Sequence, residues 1–254
     1  MPRSRGHALT TVVTLLALLG VAAAAPPAPD PCGHHGPPRS REDHEKGNWA
    51  GYEALGAIDE FHDVEARWRQ PAAMCASGRA TYATFWVGLD GARPEEGDNT
   101  VEQTGTGAWC APDGRVEYYA WYELFPTDIV DYNDPVRPGD QLQAEVRALS
   151  HDCFELFLRD FTQKWTQITY ARHPPRDTAL LNCAEVIAEA PGPRSTLLTD
   201  FGSVRFTDSL VNMRPLGSLN HRSVTMVTPD RRTARAVPGP LTRGKDFSVD
   251  WEDY

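Results

Sequence analysis

The chain has no GxSxG, no HExxH, no CxxC pair and no glycine-rich phosphate loop. Their absence leaves a serine nucleophile elbow, a zincin helix, a structural zinc site and a nucleotide cradle without support. Cations are the minority, with Lys and Arg at 25 against 35 for Asp and Glu. That balance argues against nucleic acid or an anionic membrane as the main partner. No internal repeat is present, and no stretch keeps a helical period beyond two turns. Histidine adds little. His7, His34, His35 and His44 precede the expected domain, and His62, His151, His173 and His221 have no motif around them. All four of the latter read as ordinary surface residues. His34 and His35 follow Cys32 in a metal-like spacing, but they sit in a tail, and no metal or cofactor is expected.

What is present begins with an export pattern. Arg3 and Arg5 precede an apolar run from Ala8 to Ala25 that ends in Ala22-Ala23-Ala24-Ala25. A positive start, an apolar centre and a small-residue exit describe a secretory signal peptide over residues 1–25. No later run is apolar enough to span a bilayer, so no membrane association is expected after cleavage. Residues 26–47 are rich in Pro, Gly and charge without apolar period, and read as a disordered leader or short pro-segment. A single domain over 48–254 follows, with order expected from about Asn48.

The five cysteines, Cys32, Cys75, Cys110, Cys153 and Cys183, suit an oxidising, extracellular compartment. Four of them belong to the domain and allow three pairings. The pairing we expect is Cys75–Cys110 with Cys153–Cys183.

Short apolar and aromatic runs broken by turn signals point to an all-β fold with little helix. Alternation sorts their faces, because successive strand side chains point to opposite sides of a sheet. In Tyr82–Asp90, Ala83, Phe85, Val87 and Leu89 make a core face. Tyr82, Thr84, Trp86, Gly88 and Asp90 make the other. In Val116–Phe125, Val116, Tyr118, Ala120, Tyr122 and Leu124 oppose Glu117, Tyr119, Trp121, Glu123 and Phe125. In Cys183–Ala190, Ala184, Val186, Ala188 and Ala190 oppose Glu185, Ile187 and Glu189. Three strands thus carry aromatics and carboxylates away from the core, which suits a groove for an extended chain. Further strands are expected at Asp63–Arg69, Gln141–Ala148, Phe154–Arg159, Trp165–Tyr170, Ser203–Thr207, Ser223–Val227 and Phe247–Trp251. Leu210–Leu219 and Pro229–Gly244 read as loops.

A series of motifs resembles the glutamic peptidase (eqolisin) family, in a secreted member of bacterial type. They are Asn48-Trp49-Ala50-Gly51-Tyr52, Phe85-Trp86-Val87-Gly88-Leu89-Asp90-Gly91 and Val101-Glu102-Gln103-Thr104-Gly105. They continue with Tyr119-Ala120-Trp121-Tyr122-Glu123-Leu124-Phe125-Pro126, Ala184-Glu185-Val186-Ile187-Ala188-Glu189 and Phe201-Gly202-Ser203-Val204-Arg205-Phe206-Thr207. They keep the family's order. The resemblance implies a bent, concanavalin-like β-sandwich of two antiparallel sheets with the site on the concave face. It implies a secreted, monomeric, metal-independent acid endopeptidase acting on extended polypeptides.

The resemblance also implies the roles. Glu189 activates water and later protonates the leaving amine, and Gln103 donates to the oxyanion. Trp49, Trp86, Asp90, Trp121, Glu123 and Phe125 are expected around the substrate, although Asp90 also reads as a turn residue. Glu185 shares a face with Glu189 and is its rival. Two departures stand out. Phe125 replaces a tyrosine of the best-known fungal members, and Tyr119 stands where they have aspartate. The alternative is a non-catalytic concanavalin-like module binding carbohydrate or peptide. A glycosidase pairing Glu123 with Glu185 or Glu189 has only its carboxylates in favour.

Overall fold

The structure, a computed structural model, describes Cys32 and residues 47–75, 78–193 and 195–254. The expected signal peptide and nearly all of the leader lie outside the described residues.

In chain order the strands are β1 (Trp49–Leu55), β2 (Asp63–Arg69), β3 (Thr81–Leu89), β4 (Val101–Cys110), β5 (Val116–Phe125) and β6 (Val130–Tyr132). Next come β7 (Gln141–Ala148), β8 (Cys153–Asp160), β9 (Trp165–Arg172), β10 (Cys183–Glu189), β11 (Ser203–Val211) and β12 (Arg214–Pro215). The last are β13 (His221–Val224), β14 (Met226–Val227), β15 (Ala234–Pro238) and β16 (Phe247–Trp251). Helix is limited to two single 3₁₀ turns among the described residues, Pro94–Glu96 and Leu216–Ser218.

These strands build two antiparallel sheets. One has the order β13-β1-β10-β3-β4-β5-β6, and the other β14-β15-β16-β11-β2-β7-β8-β9 with β12 on β11. One apolar layer lies between them. It takes Ala83, Phe85, Val87 and Leu89 from β3, Ala184, Val186 and Ala188 from β10, and Val64, Ala66 and Trp68 from β2. Alternation therefore assigned the inward faces as the structure has them. Aromatic rings dominate the layer, with Phe85 edge-on to Phe201 at 5.2 Å and Phe206 against Phe247 at 5.2 Å. Truncating a buried phenylalanine of this kind costs roughly 3–5 kcal/mol. A polar chain crosses the layer behind β4, where Trp68 Nε1 donates to Thr106 Oγ1 (3.1 Å) and Thr106 Oγ1 donates to Gln70 Oε1 (2.7 Å).

Two expectations need correction. Cys75 does pair with Cys110, but Cys153 pairs with Cys32, and Cys183 is a buried free thiol. Cys183 opens β10 and Cys153 opens β8, in different sheets, and each alternates with its strand's core residues. Their side chains leave opposite faces of the sandwich, so no bond can join them. Cys32 is consequently anchored well before Asn48, and a cut between the two would leave the N-terminal piece covalently attached. The second correction concerns the loops. Ala234–Pro238, inside the expected loop, pairs with β14 and β16. Likewise β11 runs on to Val211, past a register shift between Thr207 and Leu210.

Candidate active site

The outer face of the seven-stranded sheet carries a second apolar cluster, Trp49, Trp86, Val101, Trp121 and Ile187, with Tyr119, Phe125 and Val224 at its margin. An ordinary solvent face would not bury three tryptophans to 3%, 0% and 2% exposure (Trp49, Trp86, Trp121). Trp49 and Trp86 meet edge to face at 4.9 Å.

Strand register fixes where the polar groups stand on this face. Glu189 on β10 lies between Trp49 of β1 and Thr84 of β3. Gln103 on β4 lies between Gly88 of β3 and Glu123 of β5. Paired residues of an antiparallel sheet share a face. Gln103 and Glu189 therefore project from the same side, two strands apart.

Three glycines keep the space around them open. A Cβ on Gly88 would come within 3.3 Å of Gln103 Cβ, one on Gly105 within 2.6 Å of Trp86 Cβ, and one on Gly107 within 2.6 Å of Tyr119 Oη.

Each of the two side chains is oriented by its own partners. Asn48 Nδ2 donates to Glu189 Oε1 at 2.7 Å, and Trp86 Nε1 donates to Glu189 Oε2 at 2.8 Å. Asn48 Nδ2 also reaches the Ala190 carbonyl at 3.1 Å, which fixes its amide. Gln103 Nε2 donates to Glu123 Oε2 at 2.7 Å. An amide nitrogen has two N–H groups, so a second donor remains on Gln103.

Burial governs the titration. It lifts the Glu189 carboxyl to about 7, against the opposing pull of N–H donors from Trp86, Trp49 and Asn48. Glu123 is pushed up to about 8, first by burial and then by the charge of Glu189, while the Gln103 bond pulls it down. Burial also raises the Tyr119 hydroxyl, with Asp131 and Glu189 adding to it. Glu189 is thus electrostatic neighbour to both Glu123 and Tyr119, across the glycine floor.

Of the residues expected here, Trp49, Trp86, Gln103, Trp121, Glu123, Phe125 and Glu189 all sit on this face. Asp90 does not join them. It follows the last residue of β3 with φ 64° and is fully buried, and its carboxyl oxygens accept from the Leu181 N–H (2.8 Å) and the Asn182 N–H (2.9 Å). It holds the entry of β10 beside the exit of β3.

Glu185 lies level with Gln103 across Gly88. Both of its oxygens are buried without a hydrogen-bond partner among the described residues. Burial, followed by the charge of Glu53, raises its pKa well above the usual range. Glu189 is held by N–H donors from Asn48 and Trp86, whereas Glu185 has only the Cys183 thiol beside it, which separates the rivals.

Asn48 was in the opening motif, but nothing in the sequence assigned it a role. His173, expected at the surface, is instead buried, with Nε2 2.5 Å from Glu102 Oε1 behind Gln103. Burial lowers its pKa to about 4, so imidazole and carboxyl both stay uncharged through the mildly acid range.

A hollow of ≈ 250 Å³ continues from Trp49 to Arg222 and Val224. On its wall Arg222 Nε donates to Glu53 Oε2 at 2.6 Å. The nearest approach to a metal-ligand set among the described residues is Asp90, Asp98 and Cys183, within 4.8 Å of one another. One oxygen at the centre of this set is already taken. Asp98 Oδ2 accepts from the Gly91 N–H (2.6 Å), the Arg93 N–H (3.1 Å) and the Cys183 thiol (3.2 Å).

Comparison with known proteins places this arrangement. The model of the Peptidase A4 family matches residues 47–234. Aspergillopepsin-2 of Aspergillus niger is 27% identical over 184 residues, 64% of this chain and 63% of that protein. The chain thus spans under two thirds of that relative's length. A crystal structure of scytalido-glutamic peptidase with a peptide-based transition state analogue superposes with a TM-score of 0.67 at 22% identity, covering 82% of this chain and 99% of that one. The eqolisin SCP-B, in complex with the tripeptide Ala-Ile-His, gives 0.62 at 21% identity over the same shares, 82% and 99%. At these identities the structures establish a shared fold.

Proposed function

Because this chain belongs to the Peptidase A4 family, we propose that it is a secreted acid endopeptidase with Glu189 and Gln103 as its catalytic pair. The observation that carries the reading is the pair itself. A donor-held carboxyl and an amide with a spare N–H leave one face of one sheet, beside an aromatic groove suited to an extended polypeptide.

The chemistry follows from the protonation state. Burial keeps Glu189 protonated in acid. One of its oxygens takes a proton from the attacking water while the other gives its proton to the scissile carbonyl oxygen. The product is a neutral gem-diol, and the carboxyl ends as it began. As charge gathers on the carbonyl oxygen, the free N–H of Gln103 meets it. In the second half Glu189 protonates the leaving nitrogen and recovers a proton from one hydroxyl as the C–N bond breaks. Glutamine does not titrate, so Glu189 manages every proton. Glu123, uncharged over the same range, holds Gln103 without adding a negative charge beside the developing oxyanion. No step calls for a metal.

Secretion is supported by the N-terminal export pattern and by the two disulfides, Cys32–Cys153 and Cys75–Cys110. A monomer is the simplest state for such an enzyme.

The test is digestion of acid-denatured haemoglobin by the purified protein at pH 3–5, beside binding to insoluble glucans. Internal cleavage into peptides is expected, with no retention on glucan. Retention on glucan without peptide release would replace the peptidase by a binding module.

A further inference from the structure

The outer face of the other sheet is of mixed charge, with acidic residues such as Glu65, Glu145 and Glu155 toward one part and arginines gathered at another. On β2 the outward residues end in Arg67 and Arg69, on β11 they include Arg205, and on β8 they include Arg159. Register gathers them. Arg67 pairs with Gln143 of β7, which pairs with Arg159 of β8. Thr207 pairs with Arg67 and Phe206 with Trp68, and the next step of that register sets Arg205 beside Arg69. Four guanidinium groups thus share two adjacent rows in a chain whose net charge is −10.

Three of them, Arg67, Arg69 and Arg205, line a hollow of ≈ 490 Å³ together with Gln141, Thr207 and Phe161. Phe161 is 40% exposed, with the Arg159 guanidinium 4.5 Å from its ring centre and that of Arg67 at 6.0 Å.

Neighbouring carboxylates offset them only in part. Arg67 is 3.8 Å from Asp208, whose other oxygen takes Lys245 at 2.5 Å. Arg69 Nη1 donates to the Gly139 carbonyl at 2.9 Å. Asp246, which Arg205 helps to keep ionised, is engaged directly by Arg243 Nε at 3.0 Å. Glu65, the next outward residue on β2, is pushed up by burial. Gathering like charges costs energy unless an anion repays it.

We propose that this hollow is a binding site for a tetrahedral oxyanion, the sulfate or phosphate group of an organic ester, with the ester's carbon body against Phe161. Guanidinium forks match such oxygens in pairs, and they stay charged at every relevant pH. The choice of anion rests on the acid working range proposed above. There a carboxylate loses its charge near its pKa of about 4, whereas a sulfate or phosphate ester keeps at least one. The site lies on the face opposite the catalytic groove, so its ligand would be an anchor or effector rather than the bond cleaved.

Calorimetric titration at pH 4.5 with phenyl phosphate, phenyl sulfate and phenylacetate tests this, because it reads binding without reference to peptidase activity. Both esters are expected to bind, and the tighter of the two identifies the source. The double variant Arg67→Gln/Arg205→Gln should lose about tenfold or more in affinity, as expected for charge-assisted bonds. Its melting temperature and haemoglobin digestion should match wild type, since both side chains are exposed and remote from Glu189. Absence of ester binding, equal affinity in the double variant, or phenylacetate binding as tightly as the esters would each overturn the assignment.

Discussion

The variant Glu189→Gln is expected to lose at least about 10⁴-fold in kcat/KM on an acid-denatured protein substrate, a barrier increase of roughly 5.5 kcal/mol. The amide is nearly isosteric with the carboxyl and can still accept from Trp86 Nε1 or Asn48 Nδ2. It can no longer take a proton from water and pass one on. Both halves of the reaction fail together, which is why the loss should exceed that of an ordinary single donor. Folding should survive, because the position is already uncharged at acid pH. An unchanged melting temperature at pH 4 separates lost chemistry from lost structure. The matching variant Glu185→Gln is the control. Glu185 shares the face and the burial but has no N–H donor aimed at it, so activity should be retained. If Glu185→Gln were the inactive one, the roles of the two glutamates would be exchanged.

Gln103→Ala carries the second large effect. Removing one oxyanion donor costs about 10²–10³ in kcat, or roughly 3–4 kcal/mol. The fall should appear in kcat with KM little changed, since the charge it meets exists only on the way to the gem-diol. Glu123 loses its hydrogen bond to the amide. Burial already holds that carboxyl protonated up to about pH 8, so it is not stranded as an anion. A rise in KM at constant kcat would instead make Gln103 a substrate-binding residue. Steady-state kinetics on a short peptide that yields a single cleavage product distinguishes the two.

Much of this site was legible in the sequence because strand alternation is a local property. Trp86, Trp121, Glu123 and Glu189 could be assigned away from the core from their immediate neighbours, and Ala83, Phe85, Val186 and Ala188 toward it. What alternation cannot give is register between distant strands. That β10 inserts between β1 and β3 is a fact of pairing between strands far apart in the chain. It decides that Asn48 and Trp86 meet Glu189 and not Glu185. The same limit hid the cysteine partners, since nothing near Cys153 announces that Cys32 will reach it. Strand β15 was masked by its composition. Its Ala-Arg-Ala-Val-Pro run sits in an Arg- and Pro-rich stretch, and Arg235 is buried there with Nη2 donating to the Thr196 carbonyl at 2.6 Å. Asp90 belonged to a recognisable motif, yet its bonds to the 181–182 backbone could be read only once that loop was in place.

The whole reading depends on a single proton held by Glu189 in a buried, donor-lined place. The pH dependence of kcat/KM for the wild-type enzyme from pH 3 to pH 8 examines it directly, because that ratio reports ionisations of the free enzyme. A group whose pKa is raised to about 7 stays protonated through the acid range and loses its proton as pH climbs past that point. Activity should therefore form a plateau in acid and fall tenfold per pH unit above about 7, and Gln103→Ala should show the same limb at a lower level. A profile that climbs from acid toward neutrality, as an ionised glutamate base would give, contradicts the assignment.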